Sequence, residues 1–260
     1  MAAAAAVQER MAAVQAFVQH HVSDSHTITL PYAHLELPLF LSLHALMLLL
    51  ASGILIFLFG VLYRRGNAVP TGITNLLEML VVFVRDEISV RYLGEKDGRK
   101  LAPLFCSFFF FILTLNLLGL VPGFASATGN LSVTCTLALV TFCFMVFGAI
   151  IKVGLWGFIK GLVPSGVPLP LALLIFPLEV VSVAIKTGAL MIRLFANMLA
   201  GHMALFLLVG MLVIFGAWAL PVMLMVLFVY ILELFVAVLQ AYIFTLLSAI
   251  FIGQRYHPEH

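Results

Sequence analysis

An arginine near the middle of a long apolar segment constrains this sequence more than any other feature. The segment runs from about Leu169 to Phe215, and Arg193 lies close to its centre. Arginine keeps its positive charge in proteins, and placing it at the middle of a bilayer costs about 2.5–3.5 kcal/mol on insertion scales. We therefore expect the Arg193 side chain to face a partner group, a water-filled cavity or another protein rather than lipid alone.

The composition places the chain among membrane proteins. Hydrophobic residues make up 64% of it and charged residues 9%, with a mean hydropathy of +1.21, whereas soluble domains carry roughly 25% charged residues. The 13 basic residues are spread thinly, which excludes the basic face that binds nucleic acid. Three cysteines without metal-ligand spacing are interpreted as buried, inert thiols, so no metal ion or cofactor is expected. They are Cys106, Cys135 and Cys143.

Five apolar segments are long enough to cross a hydrocarbon layer of about 30 Å. They cover about 37–63, 101–121, 131–151, 169–215 and 217–253. The last two would each extend about 60 Å as helices, so we expect them to be tilted or bent. The predicted fold is an all-α integral membrane protein with about five transmembrane helices, in which the last two form a long antiparallel hairpin over about 169–253.

A further segment, about 71–93, predicts an amphipathic helix that lies on the membrane surface. Its apolar side has Leu76, Leu77, Leu80, Val81, Val84 and Ile88, and its polar side has Glu78, Arg85, Asp86 and Ser89. This division suits an interfacial helix rather than one that crosses the bilayer. The charged stretch that follows, 95–100, is predicted to be a cytoplasmic loop.

Basic residues set the predicted topology. The span count places the basic residues at the ends of the spans on one side of the membrane, among them Arg64, Arg65, Lys152, Lys160 and Arg255. The positive-inside rule assigns that side to the cytoplasm, so the N-terminus is expected outside and the C-terminus inside. We accordingly predict an external N-terminal arm over 1–36 and a single membrane domain over 37–260.

The polar residues of the last two segments fall on defined helical faces. Counting 100° per residue, four of them lie within about 40° of Arg193, whereas His202 points to the opposite side. The four are Glu179, Ser182, Lys186 and Asn197. Glu233 and Gln240, seven residues apart in the final segment, share a face.

One antiparallel register brings the polar residues of these two segments to matching heights. It pairs Glu179 with Arg255, Arg193 with Gln240, and His202 with Glu233. We interpret this coincidence as a polar path across the membrane. The alternative is that Glu179 and Lys186 form a structural ion pair near the cytoplasmic margin, where lysine can extend its amine to the interface. No acid of the chain lies at a sure contact spacing from Arg193, so its carboxylate partner is expected from another subunit.

Three motifs resemble those of subunit a of the F-type ATP synthases. They are Arg193–Met198 with Ala200–His202, Glu233 and Gln240 within Leu232–Phe244, and Asn116 within Leu115–Pro122. Together with the span count and the interfacial helix, the resemblance extends over most of the chain. The sequence also departs from the family pattern, and Lys186 is followed by Thr187 where proline is common. His202 and Glu233 exchange the acid and the imidazole of some bacterial relatives, and the loop Ser126–Asn130 lacks the aspartate that many relatives have.

The resemblance implies a channel of two offset half-channels, which moves protons to and from carboxylates of a rotating c-ring and couples ion flow to rotation. The residues it implies for proton translocation are Asn116, His202 and Glu233 in the outer half-channel, Glu179 and Ser182 in the inner one, Arg193 between them, and Gln240 and Asn197. In this mechanism Arg193 attracts the ionised ring carboxylate and blocks a direct leak.

The resemblance also implies partners, namely the c-ring, the b subunits of the peripheral stalk and, indirectly, the F1 head, with no catalytic activity of the chain alone. A bacterial inner membrane is expected rather than a mitochondrial or plastid one, because a transit-type presequence is lacking. The alternative function is a self-contained secondary transporter with a mid-membrane polar site. Such folds usually have repeated halves, whereas the intramembrane charges here lie in the last third. A third interpretation, a structural anchor, predicts that Arg193 can be replaced without loss of ion movement.

Overall fold

The structure is a computed structural model of the 260-residue chain, and it describes residues 27–30, 33–36, 42–62, 72–121, 124–163, 167–215 and 219–257. Nearly all of the described part is helical, and five of its helices are long and apolar enough to cross a membrane. The prediction of an all-α membrane protein with about five spans is therefore confirmed.

The helices are numbered here in chain order. They are α1 (Leu43–Phe57), α2 (Ile73–Phe83), α3 (Arg91–Leu120), α4 (Leu131–Cys143), α5 (Ala149–Val153), α6 (Leu155–Lys160), α7 (Leu169–Phe215) and α8 (Ala219–Tyr256). Among the described residues, three short π-helical stretches extend helices, at Leu58–Leu62, Val84–Val90 and Phe144–Gly148, and one 3-10 turn covers Ala127–Gly129. The last two helices have 47 and 38 residues, so at 1.5 Å per residue they are roughly 70 and 57 Å long.

Two short strands lie within the predicted N-terminal arm, where sequence analysis placed no regular structure. Strand β1 (Thr27–Leu30) pairs antiparallel with β2 (Ala33–Glu36), and Thr27 stands opposite Glu36. The placement of residues 1–36 outside the membrane stays a prediction. The basic residues Arg64 and Arg65, on which the topology partly depends, lie outside the described residues.

The prediction of a loop over 95–100 is wrong, because these residues are helical and belong to α3. Gly94, with φ 78° and ψ 169°, kinks the chain sharply without a loop, since glycine adopts positive φ at no steric cost. The two helical arms then meet so closely that a Cβ added to Gly98 would lie 2.5 Å from the Val90 Cα. Ser89, assigned above to the polar side of the interfacial helix, is fully buried and donates a 2.6 Å hydrogen bond to the Gly98 carbonyl.

The chain divides into two compact units, each described separately. Unit 1 comprises residues 1–54, 112–130 and 194–240, and unit 2 comprises 55–111, 131–193 and 241–260. The core of unit 1 includes Met47, Ala51, Leu115, Leu194, Met198 and Ala237. The core of unit 2 includes Val84, Ile88, Phe105, Met145, Leu190, Phe244 and Ile252. The prediction of a single membrane domain over 37–260 stays a prediction.

Large apolar side chains are exposed along much of the last helix. On α8 they include Met223, Leu224, Phe228, Ile231, Phe235 and Val238. A continuous apolar surface of this kind is unfavourable in water and typical of contact with lipid or with another protein. Cys135 is also exposed, so the prediction of a buried thiol is wrong at that position, while Cys106 and Cys143 are partly buried.

Candidate functional site

A histidine and a glutamate contact each other in unit 1. Nδ1 of His202, on α7, lies 2.8 Å from Oε1 of Glu233, on α8, and the glutamate side chain is almost completely buried. The close approach depends on Gly201, because a Cβ at that position would lie 2.6 Å from the same carboxylate oxygen. The predicted register is therefore confirmed for this pair.

The remaining contacts of His202 determine how many protons the pair holds. Its Nε2 lies 2.9 Å from the Gly119 carbonyl oxygen, and its Nδ1 lies 3.0 Å from the Met198 carbonyl oxygen. A carbonyl only accepts hydrogen bonds, so a ring that donates to both carries two N–H groups and a positive charge, matched by the Glu233 carboxylate. In the other arrangement a neutral His202 accepts from a protonated Glu233. Both arrangements contain the same number of protons, so the pair can exchange one proton internally.

An asparagine connects three chain segments beside this pair. The Asn116 side chain, fully buried on α3, donates through Nδ2 to the Ala237 carbonyl at 3.1 Å. Its Oδ1 accepts a 2.9 Å hydrogen bond from the Thr128 hydroxyl. In addition, the Tyr230 hydroxyl donates to the Leu120 carbonyl at 3.2 Å. Both ends of the Asn116 amide are thus engaged within the protein, and its bond to the Ala237 carbonyl links α3 to α8.

Two further predicted site residues lie in unit 1 without completing a contact. The Gln240 side chain is buried, and its Nε2 has no hydrogen-bond partner among the described residues. Asn197 is half-buried. Leaving a buried amide donor unsatisfied costs about 1–3 kcal/mol, so Gln240 is a costly polar group among the described residues of unit 1.

An acid held by two cations is the main polar feature of unit 2. Glu179 forms an ion pair with the buried guanidinium of Arg255, and its Oε1 lies 3.8 Å from Nζ of Lys186. The lysine also donates to Oε1 of Gln254 at 3.3 Å. Glu179 and Arg255 thus lie at the same level of the two helices, as the predicted register requires. Glu179 and Lys186 also contact each other, as the alternative of an ion pair between them predicts. Ser182 is half-buried in the same part of α7.

The Arg193 side chain is exposed. It forms no ion pair and no hydrogen bond with any residue that the structure describes. Its neighbour Ile192 is 57% exposed, whereas Leu190 is buried, so α7 packs through Leu190 and turns the Arg193 face outward. The predicted height match of Arg193 with Gln240 stays a prediction. Within the described ranges, no group of three or more His, Cys, Asp or Glu side chains could hold a metal ion.

Sequence reasoning missed Thr128, Tyr230 and His44. The hydroxyls of Thr128 and Tyr230 carry no periodicity or motif that distinguishes them from other polar residues of apolar segments. His44 did offer a signal, since it is a titratable side chain inside the first apolar segment, and such residues are functional candidates by default. Its side chain is only 4% exposed.

Comparison with known proteins places these features in one family. A family model described as ATP synthase A chain matches residues 45–253. Among curated relatives, ATP synthase subunit a of Anaeromyxobacter dehalogenans strain 2CP-C is 46% identical over 81% of this chain and 56% of its own length. The Myxococcus xanthus and Chloroherpeton thalassium proteins of the same name are 41% and 40% identical, over 86% and 93% of this chain and 77% of each relative. The chain thus spans little more than half the length of the Anaeromyxobacter relatives.

Proposed function

The chain belongs to the ATP synthase subunit a family, and from this premise we propose that it is the proton-conducting stator subunit of an F-type ATP synthase. It moves protons to and from carboxylates of a c-ring and has no catalytic activity alone. Its partners are the c-ring, the b subunits and, indirectly, the F1 head. It lies in a bacterial inner membrane with its N-terminus outside and its C-terminus in the cytoplasm. The secondary-transporter alternative is not favoured by the family match.

The observation that carries this proposal is the exposed, unpaired guanidinium of Arg193 among the described residues of an apolar helix. A permanent cation in this setting is costly unless a counter-charge faces it. An ionised carboxylate on a partner ring supplies that charge from outside the chain. When the same carboxylate is protonated, its attraction to Arg193 disappears and the neutral group can move into lipid.

On the outer side, His202 and Glu233 form the proton-exchanging pair of the path. Since the pair holds one proton that either group can carry, it accepts a proton from one side and releases one to the other without a net change of charge. Asn116 positions α8 for this exchange through its hydrogen bond to the Ala237 carbonyl. Between this pair and the ring, the proton path passes the amide groups of Gln240 and Asn197. The Gln240 amide has no hydrogen-bond partner for its Nε2 among the described residues, and the Asn197 side chain is half-buried.

On the inner side, Glu179 and Ser182 line the route to the cytoplasm. The Glu179 side chain contacts both Arg255 and Lys186, and it receives the proton that leaves the ring before that proton passes to the cytoplasm. Arg193 prevents protons from passing directly between the two sides.

The test is ATP-driven acidification of inverted membrane vesicles that contain the complete complex. Arg193→Ala is compared with wild type and with Ile192→Ala, a matched control at the adjacent exposed position. We expect Arg193→Ala to assemble with the ring and the catalytic head but to lose acidification, while Ile192→Ala pumps normally. Wild-type pumping by the Arg193→Ala complex would overturn the proposal.

A further inference from the structure

His44 is a buried titratable group that the path described above does not use. It lies in the first turn of α1 and is 4% exposed, in a helix whose other residues are apolar apart from Ser52 and Gly53. Burying a polar side chain is unfavourable unless it is hydrogen-bonded, and within membrane segments such groups typically line ion or proton pathways. The surroundings of His44 therefore decide its role.

A small cavity joins His44 to the proton-exchanging pair. It is lined by His44, Ser126, Gly129, Met198, His202 and Phe206, all of which belong to unit 1. The cavity volume is about 20 Å³, and a polar cavity needs about 10–15 Å³ on this measure to hold one water molecule. Two imidazoles from helices far apart in sequence thus border a space of the size of one water.

The wall of this cavity is mostly apolar, but it includes a buried hydroxyl group. The Ser126 hydroxyl oxygen is buried and has no hydrogen-bond partner among the described residues. A Cβ added to Gly119 would lie 3.1 Å from that oxygen, and the Gly119 carbonyl is the group that faces Nε2 of His202 at 2.9 Å. The Ser126 hydroxyl therefore lies close to the backbone of Gly119, and the cavity wall includes this hydroxyl and the side chains of His44 and His202, the polar groups that a water there would contact.

We propose that His44 is a further proton-relay residue of the outer half-channel, exchanging protons with the His202–Glu233 pair through one water in this cavity. The inference rests on the proposed function. In the inward step, the His202–Glu233 pair starts without its shared proton. Protonated His44 gives a proton to the water, and the water gives one of its own protons to the pair. His44 is left neutral and takes up the next proton from outside, so each donor loses one proton and each acceptor gains one.

This relay supplies a titratable side chain beside a loop that has none. The loop Ser126–Asn130 contains no acid, so it cannot supply a carboxylate to the outer entrance. The imidazole of His44 has a ring nitrogen that can accept and release a proton, and it lines the cavity together with Ser126 of this loop. The titratable groups at the cavity are His44 and His202, with Glu233 directly behind His202.

The experiment measures passive proton flux through vesicles from which the catalytic head has been removed, at several pH values on the outer side. For His44→Gln we expect the flux per assembled complex to fall about tenfold to a hundredfold, the lower part of what a positioned proton donor contributes. His44→Glu is expected to restore part of the flux, with a pH profile moved to lower pH because a carboxyl group titrates below an imidazole. Met47→Leu, a buried neighbour on the same helix, is the control.

A purely structural role for His44 would lower the amount of assembled complex but leave the pH profile of His44→Glu unchanged. Ser126→Val, which fills the cavity without altering His44, provides a second test if His44→Gln does not assemble, and we expect it to lower the flux. Wild-type flux in assembled His44→Gln or in Ser126→Val would overturn the inference. If Arg193→Ala still lost ATP-driven pumping, the proposed function would stand without it.

Discussion

Replacing Gly201 with alanine is expected to separate His202 from Glu233 while leaving both residues in place. The new Cβ would lie 2.6 Å from Oε1 of Glu233, whereas ordinary contact begins near 3.4 Å. The carboxylate must therefore retreat by about 0.8 Å, which extends its 2.8 Å contact with His202 to as much as about 3.6 Å, beyond hydrogen-bond distance. A displacement near 1 Å in a reacting pair can reduce a rate about a hundredfold, so we expect proton flux to fall about tenfold to a hundredfold.

The assay is proton flux per assembled complex, measured with and without ATP. Gly188→Ala is the matched control, because it lies on the same helix and a Cβ there would meet nothing within 4 Å. The double variant Gly201→Ala with Glu233→Asp should recover part of the flux, since the shorter side chain leaves room for the new methyl group. Wild-type flux in Gly201→Ala, with the complex assembled, would refute the claim that this contact lies on the proton route.

Two further predictions concern the polar contacts that hold the helices. Asn116→Ala should lower the stability of the complex by about 1–3 kcal/mol, because it removes both hydrogen bonds of a buried amide. The melting temperature of the purified complex measures this loss. An unchanged melting temperature would contradict the positioning role of Asn116. Glu179→Gln leaves the buried Arg255 without its carboxylate and should also lower the melting temperature, though by less than the roughly 3–5 kcal/mol of a fully buried pair, because Glu179 is 31% exposed. Glu87→Gln, in an exposed pair, is the control and should have little effect.

The sequence predicted the long helices and two of the three polar pairs for a simple physical reason. Continuous apolar runs can satisfy their backbone in lipid only as helices, and antiparallel helices with equal rise keep paired positions at a constant sum. His202 with Glu233 and Glu179 with Arg255 follow from this geometry alone. The sequence pattern could not specify which of these pairs are in contact. Contact depends on the rotation of each helix about its axis and on the space between the helices, such as the space that Gly201 leaves by lacking a Cβ.

Other features depend on local backbone geometry that periodicity does not encode. The kink at Gly94 turns a predicted loop into helix and buries Ser89, which the helical pattern had assigned to the polar side. The contact between Asn116 and Thr128 joins a helix to a loop without any fixed spacing. The cavity beside His44 arises from three separate segments, so only the side chain itself was visible in the sequence.

The central claim is that the exposed face of Arg193 meets a carboxylate of another subunit. It is tested most directly by disulfide cross-linking in the complete complex, after Cys106, Cys135 and Cys143 have been replaced by serine. A cysteine introduced at exposed Ala189, one helical turn from Arg193, is paired with a cysteine beside the ring carboxylate. We expect a cross-link from Ala189→Cys and none from Leu190→Cys on the buried side of α7. Absence of the Ala189→Cys cross-link in an assembled, pumping complex would contradict the claim.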